Sequence, residues 1–296
     1  MTTTGRSFTF DIGGLVEEAI GFARQFYEDN SGGLDSGSQA YREINQNLEV
    51  GPGGLWGKKP VEQAYNVASL LYGASNQYLR TLSNILSDEV PLFGFQAVTR
   101  ALLEAAARSW WILDPSCSTR QRVERAYDEL HYSFTEMQNA AKAKGGELES
   151  QLTKDHGLRT NAALLGLAEK NKKNSPLQPA VGFGERRDKP TNLVASFLSD
   201  LGLEDGEFWY RVFSGVIHSA LYAQVGYWEI VPASDTGLPH LQAQRPDAAI
   251  RQATILSVSA YFGAIERHAL LCGNDWEQLR GERFSVVARI KALRGA

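Results

Sequence analysis

Cysteine is nearly missing from this chain: Cys117 and Cys272 are the two present. They stand far apart in no ligand-like spacing, which excludes a disulfide scaffold or a thiolate zinc site and leaves two idle thiols in a reducing compartment as the expectation. Long apolar runs are lacking too, since none approaches the ~20 residues that cross a bilayer. Met1 to Phe10 lacks a basic stretch followed by an apolar one, so no secretory leader is expected there. Neither sign of charge dominates, because 30 Lys and Arg stand against 34 Asp and Glu for a net charge of −4. The chain as a whole is therefore no polycation, although a local basic patch is still allowed. The five histidines form no His-x-x-x-His or Glu-x-x-His pair, so neither a metal site nor a cofactor is expected. These absences lead to the expectation of a cytoplasmic protein with no membrane segment.

What is present is helical periodicity. Hydrophobic residues make up 43% and charged residues 22%, ordinary values for a chain able to bury a sizeable core. Residues 1–58 read as an N-terminal arm: a frayed, Thr-rich start, one amphipathic helix from Gly14 to Tyr27, then glycine-rich breaks. The run Gly51-Pro52-Gly53-Gly54 lacks the Gly-Lys-Ser/Thr ending and the preceding strand of a phosphate loop. Residues 59–296 read as a helical bundle domain. Its expected helices run from Val61 to Leu86, from Pro91 to Leu113, from Arg120 to Lys144 behind a Ser118 cap, and from Glu147 to Lys173. After a loop over 174–190 come Thr191 to Leu201, Glu207 to Tyr222, Asp247 to Cys272 and a last helix ending near Leu293. The fold class is thus all-α, a bundle of about eight helices, with one small β-hairpin inserted near 227–242.

Two of these helices carry ionisable groups among apolar neighbours. Arg211, Ser214 and His218 have the three-, four- and seven-residue spacings that share one helical face, and Tyr222 continues the line. Arg100, Glu104 and Arg108 are each four apart, on a helix apolar nearly all round, so Glu104 is expected to be buried and to need a partner. A cation, a hydroxyl and an imidazole on one stripe suit chemistry on an anion. The same residues also suit a buried structural network, with Arg100, Glu104 and Arg108 as a salt bridge between helices and His218 as a core histidine.

The sequence Arg211, six residues, then His218 resembles the Arg-(four to six residues)-His motif of the HEPN ribonucleases, although the residue after the arginine, usually polar in that motif, is Val212 here. Over about residues 60–290 the chain also resembles a group of uncharacterised bacterial all-helical proteins. Their shared pattern is an Arg-x-Leu-Leu-Glu helix, here Arg100 to Glu104, and a Tyr-Arg-x-x-Ser-x-x-x-His helix, here Tyr210 to His218. The HEPN resemblance implies metal-independent RNA cleavage by a homodimer, in a toxin or phage-defence role with an antitoxin or other partner protein. His218 would then move protons, Arg211 would neutralise phosphate charge, and Ser214 would orient either group. Arg100, Glu104, Arg108 and Tyr210 would support them.

Substrate RNA would need positive surface. The most basic stretch runs from Lys154 to Lys189, and Lys172, Lys173, Arg186, Arg187 and Lys189 are its candidate RNA contacts. Alternatively this stretch is a solvated helix end and loop, or a lid over a small anion. Whether the chain is an enzyme at all stays open at this point. The competing reading is a non-catalytic helical module that binds a ligand or a protein through a cleft lined by Trp110, Trp111, Trp209, Tyr210, Tyr222 and Trp228.

Overall fold

A computed structural model describes residues 3–30, 33–45, 49–51, 54–55, 58–87, 94–145, 149–167, 170–171, 181–183, 189–218, 220, 228–231, 240–243 and 246–293. Among these residues the chain forms ten helices, where about eight were expected. They are α1 (Thr3–Asp29), α2 (Gln39–Asn45), α3 (Lys59–Ser87), α4 (Gly94–Ile112), α5 (Thr119–Ala143), α6 (Glu149–Leu164), α7 (Pro190–Asp200), α8 (Gly206–Ile217), α9 (Asp247–Cys272) and α10 (Trp276–Ala292). Three two-stranded antiparallel ladders accompany them: β1 (Glu49–Gly51) with β2 (Gly54–Leu55), β3 (Lys170–Asn171) with β4 (Val181–Gly182), and β5 (Trp228–Val231) with β6 (His240–Ala243). The last pairs Trp228 with Ala243 and Val231 with His240, inside the segment expected to hold a hairpin. None of the described helices is long and apolar enough to cross a membrane.

Local chemistry sets several boundaries. Pro60 sits in the first turn of α3, where its missing N–H costs nothing. Ser118 caps α5 in a reciprocal box: its hydroxyl accepts from the Gln121 N–H, and the Gln121 side chain accepts from the Ser118 N–H. Asp275 caps α10 by accepting from the Gln278 N–H. Gly273 ends α9 with φ at 81°, a left-handed conformation that only glycine adopts without strain.

Helix α9 lies at the centre and is buried nearly all round, as the Ile255, Leu256, Val258, Phe262 and Ile265 side chains show. It packs against α4, α3 and α10, while α4 packs against α3 on one side and against α7 and α8 on another. The first helix begins at Thr3 rather than near Gly14, and Phe8, Ile12, Val16, Ala19, Ile20, Ala23 and Phe26 join the same core as α3, α9 and α10. Those positions repeat at three and four residues, so one face of α1 is apolar over most of its length.

A buried ionic network fastens the seven-residue α2 to the bundle. Arg122 of α5 is fully buried and donates to Glu43 Oε2 at 3.0 Å and to the Ile112 carbonyl at 2.7 Å. Tyr65 of α3 donates to the same Glu43 oxygen at 3.0 Å. Its ring lies 5.5 Å below the Arg122 guanidinium. Three helices thus share one carboxylate, and each polar group in the set has a partner.

Candidate functional site

The two sequence motifs meet where α4 crosses α8. Arg100 and Glu104 stand one turn apart on α4, and Arg100 Nε donates to Glu104 Oε1 at 2.8 Å. Tyr210 of α8 donates its hydroxyl to that same oxygen at 2.7 Å. At the end of α8 the Arg100 Nη1 comes within 3.2 Å of His218 Nε2. One carboxylate therefore orients both a phenol and a guanidinium, and the guanidinium meets the imidazole through a single nitrogen. A guanidinium only donates, so this contact requires His218 Nε2 to accept, which places the ring proton on Nδ1 of a neutral imidazole.

Helix geometry explains the arrangement. α8 ends at Ile217, not at Tyr222 as the periodicity suggested, and His218 is its C-cap, with its backbone N–H bonded to the Ser214 carbonyl. The imidazole is exposed beside the last carbonyls of the helix, whose partial negative charge favours cations such as Arg100. At the other end of α8 a glycine lets the helix seat closely on α7. A Cβ on Gly206 would lie 2.7 Å from Leu198 Cβ, so the bare backbone of α8 packs directly on that side chain.

Electrostatics reinforces the cluster. Burial disfavours the charge on Arg100, but the hydrogen bond and charge of Glu104 outweigh it and raise the pKa of the guanidinium. Burial and the Glu104 carboxylate push the Tyr210 phenol up to about 12, which keeps it a donor. Glu104 departs from expectation: its side chain is 30% exposed rather than buried, and that of Arg100 is 24% exposed. His218 is exposed and Arg100 and Glu104 reach solvent in part, while Tyr210 is buried.

Arg211 and Arg108 turn to other carboxylates. Tyr210 faces α4, so its neighbour Arg211 projects about 100° round the helix, where it is 59% exposed and paired with Glu207 at 2.7 Å. The guanidinium set on His218 is thus that of Arg100, 118 residues upstream, a pairing that the spacing along α8 did not suggest. Arg108 shares its helical face with Glu104 but forms its ion pair with Glu129 of α5 and lies 5.9 Å over the Tyr132 ring. Ser214 is half-buried one turn before His218. Of the basic candidates, Lys189 is exposed at the N-cap of α7, and Lys172, Lys173, Arg186 and Arg187 lie outside the described residues. Tyr222 lies outside them as well.

The aromatic residues considered for a cleft have separate neighbours. Trp110 donates to Asp200 and lies beneath Arg267, Trp111 is buried beneath Arg125, and Trp209 packs edge-on against Phe208. Two histidine clusters also escaped the sequence reading. His131 is buried, with Nδ1 2.6 Å from Asp155 and Nε2 3.4 Å from Arg159. His268 lies 3.8 Å from the Cys272 sulfur. Burial pushes that imidazole down to about 4 and the thiol up to about 11, so near neutral pH both are uncharged and no thiolate nucleophile forms there. Among the described residues no three His, Cys, Asp or Glu side chains gather as a metal site would require.

Compared with known proteins, the chain matches no family model, no curated protein and no solved structure.

Proposed function

We propose that the protein is a metal-independent endoribonuclease of HEPN-like type, acting as a homodimer in a toxin or phage-defence setting, with an antitoxin or other protein as its regulator. The observation that carries this reading is the exposed His218 imidazole with the Arg100 guanidinium 3.2 Å from its Nε2. Guanidinium is the side chain best shaped to grip a phosphate, and imidazole is the one best suited to move protons near neutral pH. An incoming phosphodiester competes with His218 for Arg100, so binding of substrate draws the guanidinium onto a phosphate oxygen and frees Nε2.

The freed nitrogen takes the proton of the ribose 2′-hydroxyl as its oxygen attacks the adjacent phosphorus. The phosphorus–O5′ bond breaks, and the leaving 5′-oxygen takes a proton from the second imidazole of the dimer or from water. The products are a 2′,3′-cyclic phosphate and a 5′-hydroxyl, and Arg100 neutralises the charge that builds on the non-bridging oxygens. Glu104 and Tyr210 are positioning residues, since they hold Arg100 rather than touch the phosphate. Arg211, exposed on the same helix, is a further phosphate contact, and Ser214 orients His218 or the phosphate. Lys189, with Lys172, Lys173, Arg186 and Arg187, supplies positive charge along the RNA.

The test is cleavage of end-labelled RNA in the presence of EDTA. The wild-type chain should yield cyclic-phosphate ends, while His218→Ala and Arg100→Ala should each lose at least ~100-fold in rate without loss of fold. Cleavage retained by both variants would contradict the assignment. A melt lowered by ~1–3 kcal/mol in both, with no RNA turnover by wild type, would identify the cluster as a structural network instead.

A further inference from the structure

Away from the α4–α8 crossing, a cavity of about 220 Å³ opens between α1, α3 and α9, lined among others by Tyr27, Glu28, Tyr72, Asn76, Arg80 and Tyr261. Its lining is chemically unfinished. The Asn76 Oδ1 is buried with no hydrogen-bond partner among the described residues, a state that costs about 1–3 kcal/mol, and the buried Tyr27 hydroxyl has the Tyr72 phenol as its polar neighbour. Arg80 has no ion pair among the described residues, and its charge acts on the Tyr261 phenol instead. The Tyr27 and Tyr72 rings stack within 5° of parallel, centroids 5.7 Å apart, and bring aromatic surface to the lining. His268 lies 5.3 Å from the Tyr72 ring and is neutral at physiological pH. Glu28, also in the lining, lies 3.9 Å from Arg24, so the positive charge left for a ligand is that of Arg80.

Gly73 supplies a second, independent observation. It lies mid-helix in α3 on the cavity lining, and a Cβ built there would meet nothing within 4 Å. Glycine in a helix interior costs about 1 kcal/mol relative to alanine, and here no close packing and no positive φ requires it. What its missing side chain preserves is empty space in the cavity.

We propose that this cavity binds a small planar organic anion, a carboxylate or phosphate on a single ring, that also carries a hydroxyl or amine. The anionic group pairs with Arg80, the ring lies against the Tyr27–Tyr72 pair, and the donor reaches Asn76 Oδ1, with the Tyr27 hydroxyl completing the polar contacts. The volume fixes the size class. It holds about seven waters at the ~30 Å³ each occupies in the liquid, and it falls below the ~300–1,000 Å³ of sites for drug-sized molecules. This binding site goes beyond the proposed RNA chemistry, because it uses none of the residues assigned to that chemistry.

The proposal is tested by calorimetric titration and thermal melts of the full chain with 4-hydroxybenzoate, 4-hydroxyphenyl phosphate and, as an uncharged control, 4-hydroxybenzamide. One or both anions should bind saturably and raise Tm, and the amide should bind at least ~10-fold more weakly. Arg80→Gln should abolish that discrimination. Gly73→Leu should remove binding by filling the cavity while leaving the apo melt unchanged or higher. Tyr27→Phe should weaken binding by removing a polar contact. Equal binding of the anions and the amide, no saturable binding of either anion at millimolar concentration, or undiminished binding by Gly73→Leu would each overturn it. The carboxylate and phosphate arms identify which anionic group the site prefers.

Discussion

A carboxylate that accepts from two donors at once fixes both of them, and Glu104 does this for Arg100 and Tyr210. His218 is the only one of the four cluster residues with no bond to that carboxylate, and it meets the set through Arg100 alone among the contacts described above. The imidazole is thus the member that a competing anion releases most readily. At the same scale, His268 predicts a pH dependence of stability. Its pKa is 6.5 in a free chain and about 4 when folded, so between those values the unfolded chain binds more protons. Stability from this residue is therefore fully present above pH 6.5 and is lost as pH falls through 4, by on the order of 3 kcal/mol in all. Urea midpoints at pH 7 and pH 4.5 should converge in His268→Leu relative to wild type. An equally steep acid limb in the variant would contradict this.

At the scale of elements, the site depends on how closely α8 seats on α7. A Cβ on Gly206 would meet both the Cδ1 of Leu198 at 2.6 Å and its Cβ at 2.7 Å, and no rotamer moves the latter, so an added methyl cannot be accommodated by a rotamer change alone. Gly206→Ala should lower stability by about 1–3 kcal/mol, as overpacking does, and should lengthen the Arg100–His218 contact by shifting α8. A urea melt indistinguishable from wild type would mean that the two helices have slack between them. The helices themselves were legible in the sequence wherever apolar residues recur over many turns, as in α3, α4, α5 and α9. Helix α2 was not, because seven residues carry too little periodicity, and its buried face combines Ala40 and Ile44 with Glu43, which meets Arg122. The start of α1 was masked by threonines, although Phe8, Ile12 and Val16 continue its buried stripe.

The same limit governs the site. Arg100, Glu104, Tyr210 and His218 each stand out as polar groups among apolar ones, but their pairing follows from a helix crossing that joins residues over 100 positions apart. Spacing within one helix offered Arg211 to His218 and both Arg100 and Arg108 to Glu104, and of these Arg100 does bond Glu104. Glu207 and Glu129 take Arg211 and Arg108 instead, one from the same helix and one from α5. The cavity at Tyr27, Asn76 and Arg80 gave no sequence signal, since its lining comes from three helices and none of its residues forms a motif.

At the scale of the whole molecule, a single core joins the first helix to the last, and ionic contacts bind the remaining elements to it. Arg267 of α9 reaches Asp200 of α7 at 2.7 Å and Asp114 after α4 at 3.6 Å, while Arg122 and Glu43 tie α2 to α5. Removing one side of a fully buried pair leaves the other charge without compensation. Arg122→Ala should therefore destabilise the protein by about 3–5 kcal/mol, read from the urea midpoint. A loss under ~1 kcal/mol would show that water reaches Glu43.

The central claim is that an RNA phosphate displaces His218 from Arg100. Nitrogen-15 NMR of the His218 ring, recorded while adding a dinucleotide that lacks the 2′-hydroxyl and so cannot be cleaved, tests it most directly. The free protein should show the proton on Nδ1 with Nε2 accepting a hydrogen bond. Addition of the dinucleotide should shift Nε2 together with the Arg100 guanidinium signals, and Arg100→Ala should remove that response. A ring signal that ignores the dinucleotide, or that responds identically without Arg100, would contradict the account.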